Sequence, residues 1–62
     1  MRTRYEKYIG KNVAVGVPHY TRRRPFYHYG IVVDVEEKDI IIENERGIHR
    51  IPLSKIVELN IR

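Results

Sequence analysis

The stretch Tyr29–Asn44, Y-G-I-V-V-D-V-E-E-K-D-I-I-I-E-N, limits the folds open to this chain more than any other feature. Two apolar runs, Ile31–Val35 and Ile40–Ile42, flank the polar tetrad Glu36-Glu37-Lys38-Asp39. Almost every apolar residue in them is β-branched. Such side chains are stiff at their first torsion and suit a pleated sheet better than a helix. Read with a period of two, Ile31, Val33 and Val35 form an inward face, and Val32, Asp34 and Glu36 an outward one. The tetrad then reads as the turn of an antiparallel hairpin.

Further strands can be placed around that hairpin. Val13–Val17 alternates valines with Ala14 and Gly16, and the small face lets another group approach closely. Pro18 ends this strand's capacity to donate to a ladder. His19–Pro25 has no apolar period and reads as a long exposed loop. Phe26-Tyr27-His28-Tyr29 leads into the hairpin, with Tyr27 and Tyr29 expected inward and Phe26 and His28 outward. Glu43–Gly47 reads as a second turn in which Asn44 or Gly47 takes positive φ. Ile48–Leu53 follows, with Ile51 and Leu53 expected in the core and His49 on the same face. Pro52 marks a strand end or an edge. Ser54-Lys55-Ile56 reads as one helical turn capped by Ser54. Val57–Ile61 alternates again as a last strand.

The expected strands are therefore 12–18, 26–36, 39–44, 47–53 and 57–61. The expected core is Val13, Val15, Val17, Ile31, Val33, Val35, Ile40, Ile42, Ile51, Ile56, Val57 and Leu59. Five short strands in this rhythm predict an all-β, five-stranded antiparallel small barrel over residues 10–62. Residues 1–9 read as a basic N-terminal arm or a short helical turn.

With 62 residues the chain makes a single domain of limited core. It has no cysteine, which removes disulfides and thiolate zinc sites as sources of stability. No run approaches a membrane span and no apolar leader begins the chain, so a soluble cytoplasmic protein is expected. Absence of Gln, Cys and Trp beside abundant Ile, Val, Glu, Lys and Arg fits a source that grows hot. A small core with a strand edge near Pro52 also predicts a homo-oligomer joined edge to edge.

At this point the chain resembles the SH3-like small barrels and their Sm-like relatives. The long first loop, the two tight hairpins and the helical turn before the last strand carry the resemblance. Gly30-Ile31-Val32-Val33, Glu36 and Ile40-Ile41-Ile42 are similar to the second and third strands of Sm-like RNA-binding proteins. The chain departs from that family at Ile40, where the base-contacting Asn would stand. It departs again at Ile51-Pro52-Leu53-Ser54, where an Arg-Gly pair would stand. Pro18-His19-Tyr20 and Tyr27-His28-Tyr29-Gly30 are similar to an SH3-like ribosomal protein family of the archaeal and eukaryotic large subunit. Both resemblances imply RNA binding.

Charge points the same way. Residues 1–30 hold seven basic residues against one acid, a net +6, and residues 31–62 hold five against seven, a net −2. Such asymmetry suggests an anionic partner. The strongest cluster is His19-Tyr20-Thr21-Arg22-Arg23-Arg24-Pro25-Phe26-Tyr27-His28. Arginine contacts phosphate in bidentate fashion and stacks on bases, and aromatic rings offer stacking platforms. Arg22, Arg23, Arg24, Tyr20, Phe26, Tyr27, His19, His28 and Lys11 are the candidate binding residues. The partner they predict is RNA or single-stranded DNA in preference to duplex DNA. The alternative is a protein-interaction module of the kind SH3-like domains provide for proline-rich segments.

Catalysis is not indicated. Ser54 is the only serine and no base is paired with it in sequence. The carboxylates at Glu36-Glu37 and Glu43/Glu45 lie in turns. His19, His28 and His49 lack metal-ligand spacing, and no Gly-rich phosphate loop is present, so no catalytic residue, metal or cofactor is expected.

Overall fold

A computed structural model describes residues 4–21 and 23–62. Five strands follow in chain order: β1 (Asn12–Val17), β2 (Phe26–Val35), β3 (Asp39–Asn44), β4 (Gly47–Pro52) and β5 (Glu58–Ile61). Each lies within about a residue of its expected bounds. All pairings are antiparallel, and the sheet order is β4-β3-β2-β1-β5. Among the described residues β4 and β5 do not pair, so the sheet is open. Pro52 ends the edge strand β4, where its missing N–H costs no ladder bond.

One face carries the core. Val13, Val15, Val32, Ile40 and Ile42 are wholly buried, with Ile51 nearly so. Tyr8, Val17, Val35, Leu53, Ile56 and Leu59 pack against them. Among the described residues no second layer covers these side chains. Their burial therefore requires the single sheet to coil over its own face, aided by two 3-10 turns at Arg4–Tyr8 and Leu53–Lys55.

The inward set of β2 differs from the simple alternation. Val32 is buried at 0% exposure, whereas Ile31 and Val33 stand 49% and 42% exposed. Val32 pairs with Ile42, yet Asp34 pairs with Ile41, so Val33 is an extra residue in a β-bulge. The bulge reverses the parity along the strand. It returns Val35 to the core side, where it pairs with buried Ile40. N-terminal to the bulge the expected faces are exchanged. Phe26 and His28 share the core face with Val17 and Val15, while Tyr27 and Tyr29 lie on the outer face against Gly16 and Ala14. Val57, expected inside, is 59% exposed, and Ala14 is buried instead.

Local chemistry explains the remaining differences. Ser54 lies inside the second 3-10 turn and caps nothing; Pro52 occupies the N-cap, and the Ile56 N–H closes the turn on Leu53 O. Gly47, at φ +115°, takes the left-handed conformation of the β3–β4 turn. Asn44 supports that turn differently: its Oδ1 accepts from the Arg46 N–H at 2.8 Å. Residues from Arg4 onward do not trail away from the sheet. The Gly10 N–H donates to Val32 O at 2.7 Å and the Val32 N–H to Lys11 O at 3.0 Å, which fixes the first turn beside β2. Arg50 on β4 bonds Glu36 and, at 3.1 Å, Asp39, fastening the β2–β3 turn. Among the described residues no helix is long and apolar enough to cross a membrane.

Candidate nucleic-acid interface

Exchanging the faces of β2 assembles a row of rings that strict alternation would have split. His19 and Tyr20 stack in the β1–β2 loop, with centroids 5.3 Å apart and planes 6° from parallel. The Thr21 N–H donates to His19 Nδ1 at 3.3 Å, and the Thr21 hydroxyl lies 2.8 Å from the same nitrogen. These contacts hold the His19 ring in place. From His19 the row continues to Phe26 at 6.2 Å and from Phe26, edge to face, to His28 at 5.0 Å. His28 then meets His49 of β4 at 6.3 Å.

That last contact crosses a strand. β3 lies between β2 and β4, and flat-sheet spacing would separate their backbones by about 9–10 Å. The two imidazoles meet because side chains converge on the coiled face. Gly30 permits a close approach of β2 to β3 at this point: a Cβ there would stand 2.7 Å from the Glu43 carbonyl oxygen. Asn44 Nδ2 donates to Tyr29 O at 2.6 Å, and His49 Nε2 lies 3.2 Å from Asn44 Oδ1. The amide nitrogen is committed to a carbonyl, so Asn44 presents oxygen to His49. An open depression of about 930 Å³ runs past this end of the row, lined in part by Phe26, His28, Asn44, Arg46 and His49.

The row is open at Tyr20, 98% exposed, and at Phe26, about two-fifths exposed, while His19, His28 and His49 are half-buried. Arg23 and Arg24 are exposed in the same loop, and neither makes an ion pair among the described residues. Arg22 lies outside the described residues. Burial first, and the neighbouring His49 second, hold His28 below the ordinary histidine range.

Two of the expected site residues stand apart. Tyr27 lies on the outer face. Its ring covers Gly16, where a Cβ would sit 3.1 Å from Tyr27 Cε1, and its hydroxyl donates to Glu58 Oε1 at 2.6 Å. That hydrogen bond is the main reason the phenol is pushed above its usual range. The small face of β1 thus receives a tyrosine of the same chain. Lys11 precedes β1, a strand length of roughly 17 Å from the loop at its other end.

Alternation along β4 placed His49 on the face of Ile51, but nothing local paired it with His28. On the outer face, the Arg62 guanidinium lies over the Tyr29 ring at 4.6 Å, a cation–π contact between the end of β5 and β2. No protein-family model, curated protein or solved structure matches this chain.

Proposed function

We propose that this chain is a small SH3-like β-barrel that binds single-stranded nucleic acid, RNA or single-stranded DNA in preference to duplex, through its β1–β2 loop and ring row. The strand order β4-β3-β2-β1-β5 and the 3-10 turn before β5 support the barrel assignment. The observation that carries the binding assignment is the partly exposed row Tyr20–His19–Phe26–His28 in and beside the loop that holds Arg23 and Arg24. Unpaired bases stack on such rings, and guanidinium groups neutralise the phosphates that join the bases. A duplex keeps its bases stacked on one another and gains only the phosphate contacts.

Binding to single-stranded RNA, single-stranded DNA and duplex DNA at two salt concentrations tests this reading. Replacing Arg22, Arg23 and Arg24 together with Gln is expected to flatten the log-affinity against log-salt slope by about 2–3 units. Phe26→Ala or Tyr20→Ala is expected to cost ~1–3 kcal/mol per lost stack with little change of slope. A folded triple variant that bound with unchanged affinity and slope would remove the loop as the site.

One observation favours a protein partner as the second reading. Ile31 and Ile48 face each other across Glu43 on the outer face, 49% and 68% exposed. An apolar pair held open on a sheet suits a protein surface better than a phosphate chain. Salt-insensitive binding of a protein ligand, lost in Ile48→Lys, would select that reading.

A further inference from the structure

The ring row ends at two imidazoles carried by different strands, and stacking alone gives them no distinctive role. We infer that His28 and His49, with Arg46 beside them, form an anion subsite that takes a phosphate of the bound strand and gains a proton as it does so. This inference rests on the nucleic-acid reading above.

Geometry carries it. His28 and His49 sit 6.3 Å apart, half-buried, on the same face, at the end of a row whose other members are stacking rings. Arg46 lines the same open depression. The depression is open to solvent and is lined by Phe26 and His28 of the row as well as by His49. A strand that stacks on Tyr20 and Phe26 would lay its next phosphates here. The two rings do not form part of any three-ligand cluster among the described residues, so proton binding is the chemistry they offer first.

The surroundings set the direction. Glu43 on β3 and Glu45 in the following turn bring carboxylates to the depression, and Arg46 and Arg62 bring cations. Tyr27 and Tyr29 bring phenols from β2, while β1 brings no titratable side chain. In the free protein, burial and His49 keep His28 neutral to lower pH than usual. A phosphate between the rings favours their charged forms. Binding therefore takes up protons. Affinity rises as pH falls through the window between the bound and free pKa values, and the gain fades above that window. Asn44 Oδ1 adds to this, because it accepts the proton of His49 Nε2 and leaves Nδ1 to gain the new one.

Fluorescence anisotropy with an oligouridylate tests the inference, because its bases have no basic site that titrates in this range. The full chain is compared at about pH 5.5 and about pH 8 at constant ionic strength. Affinity is expected to rise roughly tenfold or more toward acid. The double substitution His28→Gln and His49→Gln is expected to abolish most of that rise while keeping the arginine-dependent salt slope. His19→Gln is expected to keep the rise. Wild-type binding without pH dependence overturns this inference and leaves the function standing, whereas no binding at either pH and low salt overturns the function itself. A rise lost in His19→Gln but kept in the double variant overturns the assignment to His28 and His49. Should the double variant fail to fold, the imidazole proton resonances of the wild type decide: both titrations must move to higher pH when oligouridylate is added, and unmoved titrations overturn the inference.

Discussion

Replacing Val32 with Ala tests the arrangement on which the ring row depends. Val32 is completely buried; it pairs with buried Ile42 of β3 on one side and bonds the backbone of Gly10 and Lys11 on the other. The substitution removes two methyl groups, about 1.6 kcal/mol of burial at roughly 0.8 kcal/mol per group. A cavity penalty adds to this because a close-packed core relaxes only in part. The expected loss is about 2–3 kcal/mol. A 62-residue domain has a total stability of roughly 3–9 kcal/mol, so this is a large share. Val33→Ala is the partner experiment. Val33 stands in the bulge, 42% exposed, and its truncation is expected to cost no more than about 0.5 kcal/mol. Urea denaturation followed by circular dichroism separates the two. With a slope near 1 kcal/mol/M, the Val32 variant should lose about 2–3 M of midpoint and the Val33 variant less than about 0.5 M. Equal losses, or a larger loss for Val33, would refute the bulge, and with it the placement of Phe26 and His28 on the core side.

Gly30→Ala is expected to destabilise by ~1–3 kcal/mol in the same assay, since its new methyl would press on the Glu43 carbonyl, a backbone atom that cannot swing aside. Glu58, bonded by the Tyr27 hydroxyl and by Asn60, titrates below the ordinary carboxylate range; Tyr27→Phe should move its carbon resonance titration upward. The stability this pair gives is present above the unfolded carboxylate pKa and is lost as pH falls through the folded one, so the variant should show a weaker acid dependence there. Tyr27→Phe should change oligonucleotide affinity far less than Phe26→Ala, because it keeps the ring and the hydroxyl it removes is already committed to Glu58. Asn44→Ala should cost about 1 kcal/mol and shift the His49 resonances, because the Tyr29 carbonyl and the Arg46 N–H lose their partner together.

Strand positions were legible because β-branched runs, Gly and Pro punctuate the chain at almost every boundary. Faces were legible where large residues alternate with small ones, as in Val13–Val17, or where polar residues at both ends fix the parity, as Asp39 and Glu43 do for Ile40-Ile41-Ile42. They were not legible in Ile31-Val32-Val33, where three apolar residues in succession fit either parity. A bulge is a relation between two strands, and nothing in β2 alone announces that Val33 lacks a partner. The basic-aromatic composition of the β1–β2 loop was plain from the sequence. The contact of His28 with His49 was not, because it depends on how far the sheet coils. Tyr27 and Phe26 are neighbours of similar chemistry, and only the pairing register separates the ring that is bonded to Glu58 from the ring that stands beside His19.

The seat that Gly16 gives to Tyr27 bears on how the molecule comes apart. Among the described residues β5, four residues long, shares a ladder with β1 alone, so it would be the first strand to peel from the sheet. The Tyr27 ring starts on β2, passes over β1 at Gly16 and is bonded to Glu58 on β5, which makes it a buckle across three strands. Peeling β5 must open that buckle as well as the ladder. A side chain at residue 16 would lift the ring and loosen the last strand without touching it, so the grip on the end of the chain is set by an absent side chain near its beginning.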